Sequence, residues 1–172
     1  MRFSHYQAID DLRIRGKRTI AERTSLFRPE DFKGATVLDL GCNIGQMMYQ
    51  AMKWGATDVI GVEVEPNHAK HARRLLKCGV IIGDLEHRMT WDRIPKCDVV
   101  LLLSVVRWMR DPVKLMKRAS EKTHKAMYFE GHPRRFVPDI YRQALFRHTS
   151  FSRIERLGET PLERPFFRLS YE

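Results

Sequence analysis

The 172-residue sequence has little of what would mark a membrane, secreted or low-complexity protein. Its longest apolar run, Val99 to Val106, is broken by Ser104 and is far shorter than the roughly 20 residues that span a bilayer. The opening Met1-Arg2-Phe3-Ser4-His5-Tyr6 has no apolar core of the kind a signal peptide carries, so the expectation is a cytoplasmic protein without a membrane span. The three cysteines, Cys42, Cys78 and Cys97, are odd in number and show no C-x-x-C spacing. They read as buried thiols in a reducing compartment, with neither a disulfide framework nor a metal site. Internal repeats are absent, and 43% hydrophobic residues is ordinary for one globular unit. The length predicts a single domain over 1–172.

Acidic residues are also scarce relative to basic ones: 21 Asp and Glu against 31 Lys and Arg, a formal charge of +10. The cations are spread through Arg13–Arg18, Lys70–Lys77, Lys114–Arg118 and Arg134–Arg135. Two readings stay open, solvated helix faces that keep the chain soluble or a surface for an anionic partner. No compact basic and aromatic run selects nucleic acid.

The stretch Thr36-Val37-Leu38-Asp39-Leu40-Gly41-Cys42-Asn43-Ile44-Gly45-Gln46 organises the rest. A short apolar strand runs into a glycine-bearing turn, and Gln46 to Trp54 reads as a helix stopped by Gly55. Glycines at such a turn let backbone approach a ligand beside the unpaired N–H groups of a helix start. A second buried-type strand, Asp58–Glu63, ends on a carboxylate able to accept the hydroxyls of a ribose. Together these suit a nucleoside-bearing cofactor, either a dinucleotide or S-adenosylmethionine. The turn is not G-x-G-x-x-G, and Asp39 before its first glycine is a poor neighbour for a diphosphate but suits a sulfonium and an amino group.

The run Val37-Leu38-Asp39-Leu40-Gly41-Cys42-Asn43-Ile44-Gly45 closely resembles the signature of class I S-adenosylmethionine-dependent methyltransferases. The resemblance implies an α/β, Rossmann-like fold: a seven-stranded, mostly parallel sheet with a C-terminal antiparallel hairpin and helices on both faces. The strand pattern agrees: Gly79–Asp84, Asp98–Ser104 and Ala126–Glu130 continue the parallel set, and Ser152–Gly158 with Phe166–Ser170 close it, joined by a loop containing two prolines. Helices are predicted from Pro66 to about Lys77, from an Asp111 cap and Pro112 to about Lys122, and from Asp139 to His148. Residues 34–172 form this core, and 1–33 are expected to be a helical leader, with Thr19–Phe27 helical, closing over the cofactor pocket.

The resemblance also implies a cofactor site made of Asp39, Gly41, Cys42, Asn43 and Gly45 in the turn and Glu63 with Val64 after the second strand. Asp84 would meet the adenine amino group and the Leu85 N–H a ring nitrogen, while Ser104 opens the methyl-transfer zone after the fourth strand. A nearer likeness is to the methyltransferase domain of enzymes that terminate bacterial O-antigen chains, and to small bacterial relatives. Tyr6-Gln7-Ala8-Ile9 and Arg23 resemble that group's cofactor-enclosing leader, and Arg164-Pro165-Phe166 its Arg-Pro-aromatic ending. That group has paired histidines where this chain has Arg107-Trp108. Phosphate-capping RNA methyltransferases share a turn much like Asp39–Asn43, so the turn does not select the acceptor. The Asn/Asp-Pro-Pro-Tyr/Phe motif of amino-methylating DNA enzymes is missing.

The function implied is methyl transfer from S-adenosylmethionine, leaving S-adenosylhomocysteine, to an oxygen of a phosphorylated or acidic acceptor: a glycan, a small molecule or an RNA end. Arg107 is a candidate catalytic residue orienting the anion, with Arg134 and Arg135 beside it. His132, just past the fifth strand, is the candidate base for a hydroxyl acceptor, weighed against a structural loop histidine. Trp108 reads first as core, with a substrate platform as its alternative. His68 and His71, three apart on one helix, read as a solvated face. The rival readings are a cofactor-binding regulatory subunit that turns nothing over, and a basic nucleic-acid-binding module with a vestigial pocket. The chain is expected as a monomer or homodimer.

Overall fold

The structure, a computed structural model, describes residues 5–132, 143, 145 and 147–171. Two layers of helix flank a seven-stranded sheet. The parallel strands are β3 (Thr36–Leu40), β4 (Asp58–Glu63), β5 (Gly79–Ile82), β6 (Cys97–Leu103) and β7 (Thr123–Glu130). The antiparallel pair β8 (Arg153–Thr160) and β9 (Arg164–Ser170) completes the order β5-β4-β3-β6-β7-β9-β8. Because β3 has β4 on one side and β6 on the other, the chain order reverses there, and the crevice above the strand C-termini opens at that point.

Strand alternation divides the apolar residues between the two faces. Val37, Val59, Val99 and Leu101 pack under α2 (Gln46–Lys53) and α3 (Pro66–Leu76), which contribute Met47, Met48, Ala69 and Ala72. Leu38, Leu40, Val100 and Leu102 face the other way, against Trp91 of α4 (Arg88–Asp92) and Leu115, Met116 and Ala119 of α5 (Pro112–Glu121). The Asp111 carboxylate accepts from Lys114 N at 2.9 Å and caps α5, with Pro112 at the first helical position where no N–H is needed. α4 occupies part of the stretch before β6 that the sequence leaves without a helix.

The leader departs most from expectation. Residues 5–33 do not form a helical unit. Strands β1 (His5–Gln7) and β2 (Gly16–Arg18) pair in parallel, and only the four residues of α1 (Ala21–Thr24) are α-helical within Thr19–Phe27. The cause is tertiary: Arg18 and Arg23 turn inward to a buried carboxylate, and Phe27 enters an aromatic cluster with Phe32, Tyr128 and Phe166. Those anchors oppose the regular rotation of a longer helix.

The β8–β9 connection is also tighter than two prolines suggest, since only residues 161–163 lie outside the strands. Pro165 lies within β9, where its carbonyl accepts from Gly131 N at 2.9 Å and its missing N–H costs no rung to β7, whose ladder starts one residue on at Phe166. Arg134, Arg135 and most of the helix expected over Asp139–His148 lie outside the described residues; Gln143, Leu145, Arg147 and His148 are helical, and Leu145 is buried.

Candidate active site

A cavity of about 750 Å³ opens over the C-terminal ends of β3, β4, β5 and β6. Its floor is the turn between β3 and α2. Gly41 N and Cys42 N both donate to Val62 O, at 2.8 and 3.0 Å, pinning the turn to the neighbouring strand. Gly41 takes φ +81°, and a Cβ there would meet Val105 Cγ2 at 2.7 Å. The turn therefore passes directly beneath the loop after β6, which only glycine permits. Gly45, at φ +88°, starts α2 under Leu76 of α3.

Carboxylates collect on this side. Asp39, 3% exposed inside β3, is held with little water around it. Burial pushes its carboxyl up to about 7; the Arg23 charge opposes this and Glu63 adds to it. Glu63 accepts Asn43 N through Oε2 and Glu65 N through Oε1, both at 2.8 Å. Each oxygen keeps a further lone pair. Asp84, two residues past β5, accepts Glu86 N at 2.8 Å, while Trp91 Nε1 holds Leu85 O at 2.7 Å. Asn43 Nδ2 lies 3.1 Å from His68 Nδ1, which brings that imidazole to the cavity wall rather than to a solvated face.

Cations collect on the other side, around Glu130 at the end of β7. Arg18 Nη2 reaches Glu130 Oε1 at 2.6 Å and Arg23 Nη2 reaches Oε2 at 2.9 Å; all three side chains are buried. Burial works to raise the Glu130 carboxyl, but the charges of Arg23 and Arg18 outweigh it and hold the group below the usual range. Ser104 Oγ donates to Glu130 Oε2 and accepts from Arg164 Nη1 at 2.6 Å. Ser104 is set in the left-handed region, φ +64°, which aims its hydroxyl into this network. Two buried polar atoms on cavity-lining residues, Arg23 Nε and Asn43 Oδ1, have no hydrogen-bond partner among the described residues.

Of the residues singled out from the sequence, Tyr6, Arg23, Asp39, Gly41, Asn43, Glu63, Val64, Asp84, Leu85, Ser104 and Arg107 all line this cavity. Three do not. Cys42 is fully buried beneath the turn, close enough to Gly61 that a Cβ there would approach its Sγ to 2.5 Å; burial also pushes its thiol up, away from reactivity. Gly45 shapes the helix start under α3 and does not reach the cavity wall. His132 lies behind Arg107, with Nε2 3.3 Å from its Nη1, and is not part of the lining. Trp108 is 71% exposed at the cavity mouth with the Arg107 guanidinium 4.3 Å from its ring, so it is not a core residue.

Gln7, named with the leader pattern, also lines the wall; sequence reasoning missed His68 and Leu162 there, gave Arg164 no role beyond its Arg-Pro-aromatic ending, and missed Arg18 and Glu130 behind the wall. Glu130 carried a usable signal, because it ends its strand on a carboxylate as Glu63 does. Arg18 carried none and Arg164 only its Arg-Pro-aromatic ending: a buried arginine is rare and nothing local marks its burial.

Residues 12–157 match the family model of a methyltransferase domain. The chain belongs to that methyltransferase family. Among curated proteins it is similar to the 7SK snRNA methylphosphate capping enzyme of Mus musculus, 38% identical over 56 residues, which are 32% of this chain and 8% of that enzyme. The match therefore spans a small part of that relative's length. Among solved structures, the bifunctional kinase-methyltransferase WbdD superposes with a TM-score of 0.75 at 20% identity, over 98% of this chain and 44% of WbdD. The N-terminal domain of EvdMO1, solved with S-adenosylhomocysteine bound, gives a TM-score of 0.68 at 19% identity over 88% of this chain and 80% of that domain. These likenesses agree with the class I methyltransferase fold, its parallel sheet and its closing hairpin. Among the described residues no helix is long and apolar enough to cross a membrane.

Proposed function

We propose that this domain transfers a methyl group from S-adenosylmethionine to an oxygen of a phosphorylated or otherwise acidic acceptor. The observation that carries the reading is the division of one cavity into a carboxylate wall and a guanidinium wall. S-adenosylmethionine supplies an electrophilic methyl on a sulfonium, so the protein has chiefly to hold and align. The residues present fit it. Glu63 has lone pairs left for ribose hydroxyls, and Asp84 with Leu85 is available at the next strand end for adenine. Asp39 would serve the positive centres, and Arg23 would offer its unused Nε–H to the carboxylate.

On the open side, Arg107 is stacked on Trp108 and backed by His132, which keeps a cation at the mouth where an acceptor enters. A phosphate or carboxylate acceptor is already anionic and needs orientation, not deprotonation. His132, engaged with Arg107, acts in this reading as a positioning residue.

The test is transfer of labelled methyl from S-adenosylmethionine into pools of phosphorylated glycans, phosphorylated small molecules and 5′-phosphorylated RNA. Incorporation into one pool, with Arg107→Ala raising KM about tenfold or more, is the expected result. Cofactor binding with no transfer into any pool would favour a non-catalytic role. An RNA end has one observation in its favour, the likeness to a capping enzyme in a chain of charge +10. It predicts RNA affinity that falls about a thousandfold or more between roughly 50 and 200 mM salt.

A further inference from the structure

Trp108 is a large apolar ring that the protein leaves in water. It is 71% exposed and lines the cavity, yet its backbone is fixed: Val106 beside it is buried, and Trp108 N donates to Val105 O at 2.9 Å in the turn after β6. Exposed apolar surface at the rim of a binding cavity marks a place that a ligand covers. The Arg107 guanidinium lies over one face of the ring, 4.3 Å from its centroid. With so much of the side chain exposed, the opposite face is left uncovered. A fixed aromatic face of this kind is what an unstacked nucleobase packs against, since every base offers a flat π-surface.

The polar groups of the cavity argue against a sugar ring on the same platform. The carboxylates and amides of the lining come from the leader, from the ends of β3 and β4 with the turns after them, and from the turn after β5: Gln7, Asp39, Asn43, Glu63, Glu65 and Asp84. The lining supplied after β6 and around the β8–β9 connection includes Arg107, Trp108, Met109, Leu162 and Arg164 and, among the described residues, no carboxylate or amide. A sugar ring presents hydroxyls along its edge, and each needs an acceptor as well as a donor when it leaves water. A base stacked on Trp108 needs only its face covered, and its edge can stay hydrated at the mouth.

Spacing restricts the phosphate as well. A base on the open face would sit about 8 Å from the Arg107 guanidinium, once a van der Waals separation of roughly 3.5–4 Å is added to the ring contact. An aryl phosphate carries its phosphate on the ring itself and cannot fill both places. A nucleoside 5′-phosphate has a pentose and a methylene between base and phosphate. That arm is long enough to pass the edge of Trp108 and bring the phosphate to the N–H groups of Arg107.

Resting on the methyl-transfer reading above, we propose that the acceptor is a nucleoside 5′-phosphate, free or at the end of an RNA, whose base stacks on Trp108 while Arg107 receives its phosphate. Trp108 is then a specificity residue in its own right and not only a support for Arg107.

The full chain is saturated with S-adenosylhomocysteine, so that no nucleotide enters the cofactor site, and titrated by calorimetry with GMP, ribose 5-phosphate, mannose 6-phosphate and a 5′-phosphorylated tetraribonucleotide. GMP should bind about fivefold or more tighter than either sugar phosphate and quench tryptophan fluorescence. Trp108→Leu should bring GMP to within about twofold of ribose 5-phosphate and abolish the quench, whereas Trp108→Phe keeps part of the preference. Arg107→Ala should weaken GMP and ribose 5-phosphate alike. S-adenosylhomocysteine affinity and thermal midpoint should stay close to those of the parent in both Trp108 variants. Tetraribonucleotide binding well above that of GMP assigns the RNA end, and equal binding assigns the free nucleotide. GMP no tighter than the sugar phosphates, or a preference for GMP that survives Trp108→Leu, would overturn the proposal. So would equal weakening of GMP and ribose 5-phosphate by Trp108→Leu, which would mean that the ring only supports Arg107. Each of these leaves the methyl-transfer reading in place. Failure of the parent chain to bind S-adenosylhomocysteine would overturn that reading and this proposal together.

Discussion

On one wall of the cavity the charges Asp39, Glu63 and Asp84 each come from the end of their own strand, within a few residues of the hydrophobic run that precedes them. On the other wall Arg18 comes from β2, Arg23 from α1 and Arg164 from β9, and they meet Glu130 of β7 across sequence separations of up to 112 residues. The carboxylate wall is local in sequence and braced by backbone N–H groups. The guanidinium wall is assembled from distant segments and braced by side chains. The first can persist while the leader moves; the second exists only when leader, β7 and β9 are docked.

Removing the central anion of each wall tests this difference with the largest expected effect. Glu130→Ala leaves Arg18 and Arg23 buried without their partner and should cost about 3–5 kcal/mol of stability. Glu63→Ala removes an acceptor from two backbone N–H groups beside an open cavity and should cost about 1–3 kcal/mol. Urea denaturation of both variants checks the ranking, and an equal or reversed order would mean that the guanidinium wall is not held by its ion pairs.

A backbone clash isolates the leader. A Cβ at Gly16 would lie 2.2 Å from the Gln7 carbonyl carbon and oxygen, so Gly16→Ala forbids the β1–β2 pairing at a cost of about 1–3 kcal/mol. Trypsin should then cut faster among Arg13, Arg15, Lys17 and Arg18, while the far-ultraviolet circular dichroism of the sheet is retained. Unchanged cleavage would show that β1 and β2 are not what orders this segment.

The carboxylate wall has its own signature in pH. Asp39 has a folded-state value of about 7 against the ordinary value near 3.8, raised by burial. A raised carboxyl favours the protonated folded state, so its contribution to stability is full below about pH 4 and is lost as the pH rises through about 7. A ligand ammonium or sulfonium nearby favours the ionised form instead. S-adenosylmethionine affinity should therefore rise about tenfold from pH 6 to pH 8, with proton release seen by calorimetry in buffers of different ionisation enthalpy. Asp39→Asn should flatten the dependence. An affinity independent of pH in the parent chain would place the cationic groups away from Asp39.

The same contrast explains what could be read from the sequence. β3, α2, β4, α3, β6 and α5 follow from runs of local periodicity, an Asp-Pro cap and glycine stops, and their bounds agree within about two residues. Glu63 and Asp84 were legible because each closes such a run. β1 and β2 were not, since strands of three residues have no period and their parallel pairing is decided by Arg18, Arg23 and Phe27 reaching the core. Arg164 appeared only as part of an Arg-Pro-aromatic ending, with no hint that Ser104 would meet it. Cys42 and Gly45 came with the family resemblance of the turn; in the structure the Cys42 side chain packs into the core and Gly45 lies under α3. Trp108 looked like core because tryptophan usually is. The short 3-10 turn at Val106–Trp108 buries Val106 and turns Trp108 out to the mouth.

Trp108 gives the smallest effect on stability and the sharpest separation of stability from function. At 71% exposure its ring covers little of the core, and Trp108→Ala should change unfolding free energy by no more than about 0.5 kcal/mol. The ring does hold the Arg107 guanidinium at 4.3 Å, a contact typically worth about 0.5–1 kcal/mol at an exposed site. Without it Arg107 keeps His132 as a neighbour but loses the surface that sets its plane. KM for an anionic acceptor should then rise by a few-fold, with S-adenosylmethionine affinity unchanged, because the carboxylate wall does not depend on that ring. A large loss of stability would return Trp108 to the core; a loss of cofactor affinity would mean that the two walls are coupled at the mouth.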